Sequence, residues 1–170
     1  MTVKHATAST FVFGRLLGGW QIGLIVHPLF GRLMLPGGHV EPGESPPQAA
    51  SREVAEESGL DVELVPALAP PVPEGLSSAR VLVEQPWWIL EQPIPADNHL
   101  AEAHVHIDHL YVGVARSVHP VSSPAHPFSW HSAAELPGLH MFPDTRLFAA
   151  ALLADAERAL GAGTGERSPR

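Results

Sequence analysis

The sequence predicts an α/β fold in which one mixed β-sheet carries α-helices on its faces. Segments with strand character outnumber helical ones, and only two segments show a helical pattern. The clearest strand, residues 104–116, first alternates polar and apolar side chains and then becomes fully apolar, as buried central strands do. At 170 residues, the chain is long enough for one domain with a sizeable core.

The predicted strands follow one another with short turns between them. Residues 9–14 and 20–26 are apolar runs joined by a turn at residues 15–19, which indicates a β-hairpin. A short strand that begins at Arg32 runs into a glycine turn at Gly37 and Gly38. Further strands are predicted at residues 61–65, 79–83, 87–90 and 104–116.

Two helices are predicted, at residues 46–58 and 144–160. The first is bounded by clear signals, because Ser45 suits the N-cap position and Gln48 completes a capping box. Pro46 fits the first helical position, where a missing N–H costs nothing, and Gly59 suits the left-handed residue that ends a helix. These end signals also determine which side chains share a face of the helix.

The composition excludes several classes of function. The chain contains no cysteine, so disulfides, thiolate metal sites and cysteine catalysis are excluded, and a reducing cytoplasm is the expected location. Neither a signal peptide nor a membrane-spanning apolar segment is expected. The formal net charge of −8 argues against nucleic acid or an anionic membrane as the partner. An anionic small molecule would need nearby arginines or bound cations to offset this charge.

The first predicted helix carries a cluster of carboxylates. Glu53, Glu56 and Glu57 fall within an arc of about 100° on its surface, beside the face that packs on the sheet. Like-charge pairs at this spacing destabilise an exposed helix slightly. The alternative interpretation of the cluster is a solvated acidic surface with no metal. Glu41 and Glu44 add carboxylates at the helix entrance. Oxygen ligands in this number favour Mg²⁺ or Mn²⁺ over Zn²⁺.

Residues 38–60 resemble the Nudix box, G-x5-E-x7-R-E-U-x-E-E-x-G-U, in which U is a bulky aliphatic residue. All nine specified positions agree; they are Gly38, Glu44, Arg52, Glu53, Val54, Glu56, Glu57, Gly59 and Leu60. By average composition, a chance match is on the order of 10⁻⁹ per start site. Residues 130–136 also resemble a W-x4-E-L segment of this MutT-like family. The resemblance implies the Nudix fold, a mixed sheet sandwiched between helices, over residues 1–160. The polar, glycine-rich composition of residues 161–170 predicts a disordered tail.

The resemblance also implies an activity: Mg²⁺-dependent hydrolysis of a nucleoside diphosphate joined to another group, with Mn²⁺ as a substitute metal. The metal ligands that it implies are Glu53, Glu56, Glu57 and the carbonyl of Gly37. Glu53 is the first choice for the base that takes a proton from the attacking water. Arg52 would orient a neighbouring carboxylate, and Glu44 would support the geometry of the loop and helix.

An acid from a later loop often completes the metal site in this family. Glu102 and Asp108 are equally good candidates for that acid, and Glu84 is a further one. Four side chains are candidate substrate contacts, namely Arg15, Arg32, His106 and Asp108. His106 and Asp108 could equally form hydrogen bonds within the fold.

Several functions stay open at this stage. A modified nucleoside triphosphate is the expected substrate, and ADP-ribose or another nucleotide sugar is the alternative. A non-catalytic Nudix ligand-binding module is a further alternative, although the chain retains every box glutamate. His104 and His106 share one strand face, as in metal-binding H-x-H barrels, but that interpretation leaves the box unexplained. The expected partner is a small nucleotide, with no nucleic acid and no membrane, and the resemblance allows a homodimer.

Overall fold

The computed structural model describes residues 2–68, 75, 81–96 and 100–161. Within these ranges the chain forms a mixed sheet, three α-helices and one 3-10 turn. In chain order the elements are β1 (Lys4–Leu16), β2 (Gly19–His27), β3 (Arg32–Met34), β4 (Gly37–His39), α1 (Pro46–Ser58), β5 (Val62–Leu64), β6 (Trp88–Ile94), β7 (His104–Ala115), β8 (Phe128–His131), the 3-10 turn (Leu136–Gly138), α2 (Pro143–Ala154) and α3 (Ala156–Gly161).

The sheet is mixed, as the sequence predicts. Its main path runs β3-β2-β1-β7-β5, while β4 pairs with β1, β6 with β7 and β8 with β2. The central pair, β1 and β7, is parallel, and the other pairs are antiparallel. The long register between β1 and β7 brings side chains about 100 residues apart in the sequence onto shared faces.

The helices cover both faces of this sheet. Phe11 and Val12 are successive residues of β1, so their side chains point to opposite faces. Val12 packs in one apolar cluster with Val54 of α1, whereas Phe11 packs in another with Leu152 of α2. The predicted sandwich of a mixed sheet between helices is therefore confirmed. No helix in the described ranges is long and apolar enough to span a membrane.

Some predicted elements differ from the structure. The second predicted helix is interrupted at Asp155, where the backbone leaves the helical region and separates α2 from α3. Residues 81–83 of a predicted strand are irregular and exposed, because no neighbouring strand pairs with them in the described chain; residues 79 and 80 lie outside it. The glycines at 37 and 38 form strand β4 instead of a turn, since they pair with Ser9 and Ala8. The predicted tail beyond residue 161 also lies outside the described ranges.

Strand β8 was not predicted from the sequence. It contains only four residues and follows a segment rich in Pro and Ser, so its local pattern is weak. Its pairing with β2 places Trp130 opposite Gly23 and Phe128 opposite Ile25. A partner strand distant in sequence therefore makes this segment extended.

The predicted ends of α1 are confirmed. The N–H of Ser45 donates to the side-chain oxygen of Gln48 at 2.8 Å, which is the reciprocal bond of a capping box. Gly59 lies in the left-handed region at φ 72°, and its N–H donates to the carbonyl of Ala55 at 3.1 Å. A Cβ at Gly59 would overlap the backbone carbonyl of Ser122, so the helix end also needs glycine for a close approach.

We expect Gly59→Ala to lower the free energy of unfolding by at least about 1–2 kcal/mol, since a left-handed Ala is strained by that amount before any overlap with Ser122. Urea denaturation of both proteins measures this difference. Gly138→Ala is the matched control, because no atom lies within 4 Å of its added Cβ. Equal stability of the Gly59 variant and the wild type would contradict this account of the helix end.

Candidate active site

The acidic side chains of α1 are organised around one guanidinium, that of Arg52. Its Nε and Nη2 atoms donate to the two carboxylate oxygens of Glu44, at 3.2 and 2.7 Å. Its Nη1 atom donates to Glu53 at 2.7 Å and to Glu56 at 3.1 Å. Nη2 also donates to the backbone carbonyl of His39 at 3.0 Å. One side chain therefore connects the helix to its entrance loop and to β4, with the fixed orientation that a two-pronged guanidinium–carboxylate pair provides.

Glu57 is held by a different set of contacts. Its Oε2 atom accepts a hydrogen bond from the N–H of Gly37 at 3.0 Å, and its Oε1 atom lies 3.3 Å from Nε2 of His126. The loop that carries His126 is itself fixed to the end of α1, because the N–H of His126 donates to the carbonyl of Glu57 at 3.1 Å. Strand β4 and this loop therefore position the Glu57 carboxylate from two sides.

His126 is a contact that the sequence analysis missed. It follows an irregular stretch after β7, and nothing in its local sequence indicates proximity to α1. The segment reaches α1 by backbone hydrogen bonds to the helix end, including the one from the N–H of Val121 to the carbonyl of Gly59 at 2.7 Å. Only the folded chain brings this imidazole against the box.

Burial shifts the pKa values of the two enclosed acids of α1. The side chains of Glu53 and Glu57 are only 14% and 13% exposed, and burial raises the pKa of each carboxyl above its ordinary value. Arg52 opposes the pKa rise at Glu53, and the Gly37 N–H opposes it at Glu57. In contrast, the hydrogen bond from Arg52 holds the pKa of Glu44 below its ordinary value. Glu53 and Glu57 are thus better proton acceptors than an exposed glutamate, whereas the lowered pKa of Glu44 favours its ionised form.

The glycines of β4 allow the helix acids to approach the sheet closely. A Cβ at Gly38 would overlap the carboxylate of Glu53, so any other residue there would displace this acid. A Cβ at Gly37 would lie 2.6 Å from Oγ of Ser9 and 2.7 Å from the carbonyl of Ala8, which is too close for strand pairing. Both glycines are therefore needed for space, since neither has a positive φ.

The donor atoms at this site suit a hard cation. Three carboxylates, those of Glu44, Glu53 and Glu56, contact the one guanidinium, and Glu56 remains 59% exposed. Glu57 adds a fourth carboxylate, which contacts His126 instead. Oxygen donors of this kind are the ligands that Mg²⁺ and Mn²⁺ prefer. In the described ranges, no group of three or more His, Asp or Glu side chains is already arranged to hold a metal ion. The chemistry of the donor set, together with its uncompensated negative charge, is what fits a divalent cation here.

The candidate later acids differ in their surroundings. Asp108 accepts hydrogen bonds from the hydroxyls of Thr7 at 3.0 Å and Ser9 at 3.0–3.1 Å, and burial raises its pKa. Glu102 is exposed, and its backbone carbonyl lies 3.1 Å from Nδ1 of His104. Asp108 is therefore engaged within the sheet, while the carboxylate of Glu102 is solvent-accessible.

The two candidate arginines also lie in different places. Arg32 is opposite His27 in the β2–β3 pair, and its guanidinium lies 5.1 Å from the centre of the Phe142 ring. The His27 ring is 6.2 Å from that of His126, which contacts Glu57.

Arg15 instead forms an ion pair with Glu157 of α3 at 3.1 Å, and its guanidinium lies 5.7 Å from the centre of the Trp20 ring. The contacts of Arg15 are therefore made with α3 and the start of β2, whereas Arg32 lies on β3 and contacts Phe142.

Comparisons with known proteins agree with this fold. The NUDIX domain model matches residues 20–151 of the chain. A NUDIX-family hydrolase from Clostridium perfringens superposes with a TM-score of 0.69 at 22% identity, over 90% of this chain and 98% of that one. A NUDIX hydrolase from Nitrosomonas europaea gives 0.57 at 18% identity, over 98% and 99%. An Ap4A hydrolase from C. elegans gives 0.54 at 17% identity, over 93% and 98%. No curated protein matches the sequence.

Proposed function

This chain belongs to the Nudix hydrolase family, and on that premise we propose that it is a Mg²⁺-dependent pyrophosphohydrolase of nucleoside triphosphates, including modified ones. The observation that carries the proposal is the Arg52 network, which holds Glu44, Glu53 and Glu56 together beside the enclosed Glu57. We further propose that residues 1–160 form one catalytic domain that acts in the cytoplasm.

Glu53, Glu56 and Glu57, with the carbonyl of Gly37, are the groups that would hold the metal. When bound, Mg²⁺ supplies charge neutralisation for the diphosphate and lowers the pKa of an attacking water. The cation requirement also suits the charge of the chain, because the formal net charge of −8 would otherwise repel a polyphosphate.

Glu53 is the proposed base. Its carboxylate is enclosed between α1 and β4, and burial raises its pKa towards the range in which a carboxylate accepts a proton effectively. The hydrogen bond from Arg52 holds one of its oxygens in place and opposes the rise in its pKa. The oxygen that Arg52 does not engage is the one available to the water.

Arg52 and Glu44 are proposed as positioning residues. The carboxylate of Glu44 accepts two hydrogen bonds from the guanidinium of Arg52, and the same guanidinium orients Glu53 and Glu56. Phosphoryl transfer depends mainly on positioning and electrostatics, so the fixed orientation of these carboxylates is the main contribution of the pair. Arg32 is the proposed contact for the outer phosphates, because its strand partner His27 has its ring 6.2 Å from that of His126, which contacts Glu57.

A substrate panel tests the proposal directly. Purified protein is incubated with ordinary and oxidised nucleoside triphosphates, ADP-ribose, nucleotide sugars and Ap4A, with Mg²⁺, with Mn²⁺ or with a chelator. We expect metal-dependent release of a nucleoside monophosphate and pyrophosphate from a triphosphate. Turnover confined to ADP-ribose or nucleotide sugars would change the substrate assignment. If no compound of the panel is cleaved with either metal, the ligand-binding alternative replaces the enzyme.

The metal role of Glu57 gives a further expected result. Glu57→Gln should raise the Mg²⁺ concentration for half-maximal activity by about tenfold or more, because loss even of an outer partner of a metal ligand costs about 10–100-fold in affinity. A Mg²⁺ titration of activity measures this shift. Glu63→Gln is the control, since this glutamate lies on β5 and is 56% exposed. An unchanged titration for the Glu57 variant would remove this residue from the ligand set.

A further inference from the structure

Four histidines from three strands form a closed cluster. They are His5 of β1, His39 of β4, and His104 and His106 of β7. The ring centre of His104 lies 5.3 Å from that of His5 and 5.0 Å from that of His106. The ring centre of His39 lies 4.9 Å from that of His106 and 5.7 Å from that of His5, which closes the cluster. We call this group the histidine cluster.

The histidine cluster lies on the sheet face opposite α1. His5 is opposite His106 in the parallel β1–β7 pair, so the two side chains share a face. A Cβ at Gly38 would point at Glu53, on the α1 side of the sheet. His39 is the next residue of β4, and successive residues of a strand face opposite ways, so His39 points away from α1. The cluster and the box carboxylates therefore occupy opposite sides of one strand and share no side chain.

Two of the four rings already have an arrangement suited to a metal. His104 is only 2% exposed, and its Nδ1–H donates to the carbonyl of Glu102 at 3.1 Å, which leaves the lone pair on Nε2. Nε2 of His106 lies 3.2 Å from that atom. Two ligands of a tetrahedral ion with bonds of about 2.0–2.1 Å are about 3.3–3.4 Å apart. The observed separation is thus close to one edge of such a tetrahedron.

A third ring supplies an independent observation. Nε2 of His5 is buried, and it has no hydrogen-bond partner in the described part of the chain. A buried polar atom without a partner is costly, so a bound ligand would satisfy a group that the fold leaves unsatisfied. The ring of His5 packs against both His104 and His39, which places it within the cluster.

We propose that the histidine cluster is a second metal site, which binds one Zn²⁺-like transition-metal ion through His104 and His106, with His5 and His39 as the other ligands. Imidazole donors favour Zn²⁺, Ni²⁺ or Cu²⁺ over Mg²⁺, so the site differs in metal from the carboxylate face. In the described structure, no three of these side chains are already arranged around one metal position. The rings of His5 and His39 therefore rotate to complete the set of four ligands. The bound ion would join β1, β4 and β7 on the sheet face opposite α1.

Zn²⁺ binding by the full chain, prepared without a polyhistidine tag, tests this site. Isothermal titration measures stoichiometry and affinity, and the visible spectrum with Co²⁺ reports four-coordinate nitrogen ligation. We expect one tight site in the wild type. The double variant His104→Gln/His106→Gln should bind about 100-fold more weakly or worse, because even an outer partner of a metal ligand is worth about 10–100-fold.

Two comparisons separate this site from other sources of binding. His119→Gln is the matched control, because His119 is exposed and lies outside the cluster, and its variant should bind Zn²⁺ like the wild type. The triple variant Glu53→Gln/Glu56→Gln/Glu57→Gln should also keep the tight site. Loss of Zn²⁺ binding in this triple variant, with retention in the histidine double variant, would place the ion at the box and overturn the proposal.

Two further measurements guard against failure of the double variant to fold. Circular dichroism without metal checks its structure, and the single variants His106→Gln and His5→Gln provide milder tests, since neither ring is fully buried. Zn²⁺ should raise the Tm of the wild type but not that of folded cluster variants. An absence of any tight site in the wild type, or equal affinity in folded cluster variants, would show that these rings form only a hydrogen-bonded core.

Discussion

Glu53→Gln is expected to lower kcat by about 10²–10⁴-fold, the range that a positioned general base contributes. The replacement removes the proton-accepting oxygen but keeps an amide oxygen that can accept from Nη1 of Arg52, which donates to Glu53 at 2.7 Å. The enclosed position beside Gly38 should therefore stay filled and the fold intact. Steady-state kinetics at saturating Mg²⁺ measure the loss, and circular dichroism checks the fold.

The control for this variant is Glu63→Gln, which removes a charge from an exposed glutamate of β5 that pairs with Arg116. It should leave kcat unchanged. A Glu53 variant with undiminished kcat would show that this residue is neither the base nor an essential ligand, and the role would pass to another acid of the site. Glu57 would be the first to examine, because burial raises its pKa as well.

Arg52→Ala is expected to reduce both stability and turnover. It removes hydrogen bonds to Glu44, Glu53, Glu56 and the carbonyl of His39, and it leaves like charges without their common partner. Hydrogen bonds to charged groups contribute about 1.5–3 kcal/mol, so we expect a loss of about 2–3 kcal/mol in the free energy of unfolding. Because the carboxylates lose their orientation, kcat should fall by about 100-fold.

Three comparisons distinguish this positioning role from general destabilisation. Arg52→Lys keeps the charge but not the two-pronged pairing with Glu44, so its kcat should fall between those of the wild type and Arg52→Ala. Added Mg²⁺ should stabilise Arg52→Ala more than the wild type, because the cation then neutralises acids that lack the guanidinium. Arg116→Ala, which removes an arginine that is 58% exposed, should change stability by less than about 0.5 kcal/mol. Wild-type kcat in Arg52→Ala would refute the positioning role.

The best sequence predictions concern structure that depends on near neighbours. The ends of α1 agree with the predicted residues 46–58, because a capping box and a terminal glycine act within a few residues of each other. The acidic face follows from the same helix geometry, since the spacing of Glu53, Glu56 and Glu57 sets their common direction. The long central strand β7 is equally local in origin, because its apolar run is continuous.

The failed or missed predictions concern features that need a distant partner. Strand β8 becomes extended only by pairing with β2, and the glycines of β4 become a strand only by pairing with β1. The break at Asp155 has no proline or glycine to mark it in the sequence. Residues 81–83 show that apolar composition does not make a strand when no neighbour in the described chain pairs with it.

By itself, the sequence determined the family, the helix that carries the carboxylates and the preference of those carboxylates for a hard cation, because spacing along a helix decides which side chains point together. Only the tertiary structure decided that Arg52 holds three acids at once, that His126 contacts Glu57, and that Arg15 pairs with Glu157 of α3. The same holds for the histidine cluster, whose members come from three strands. Such groupings depend on strand order and register, and these are set by the packing of the whole sheet.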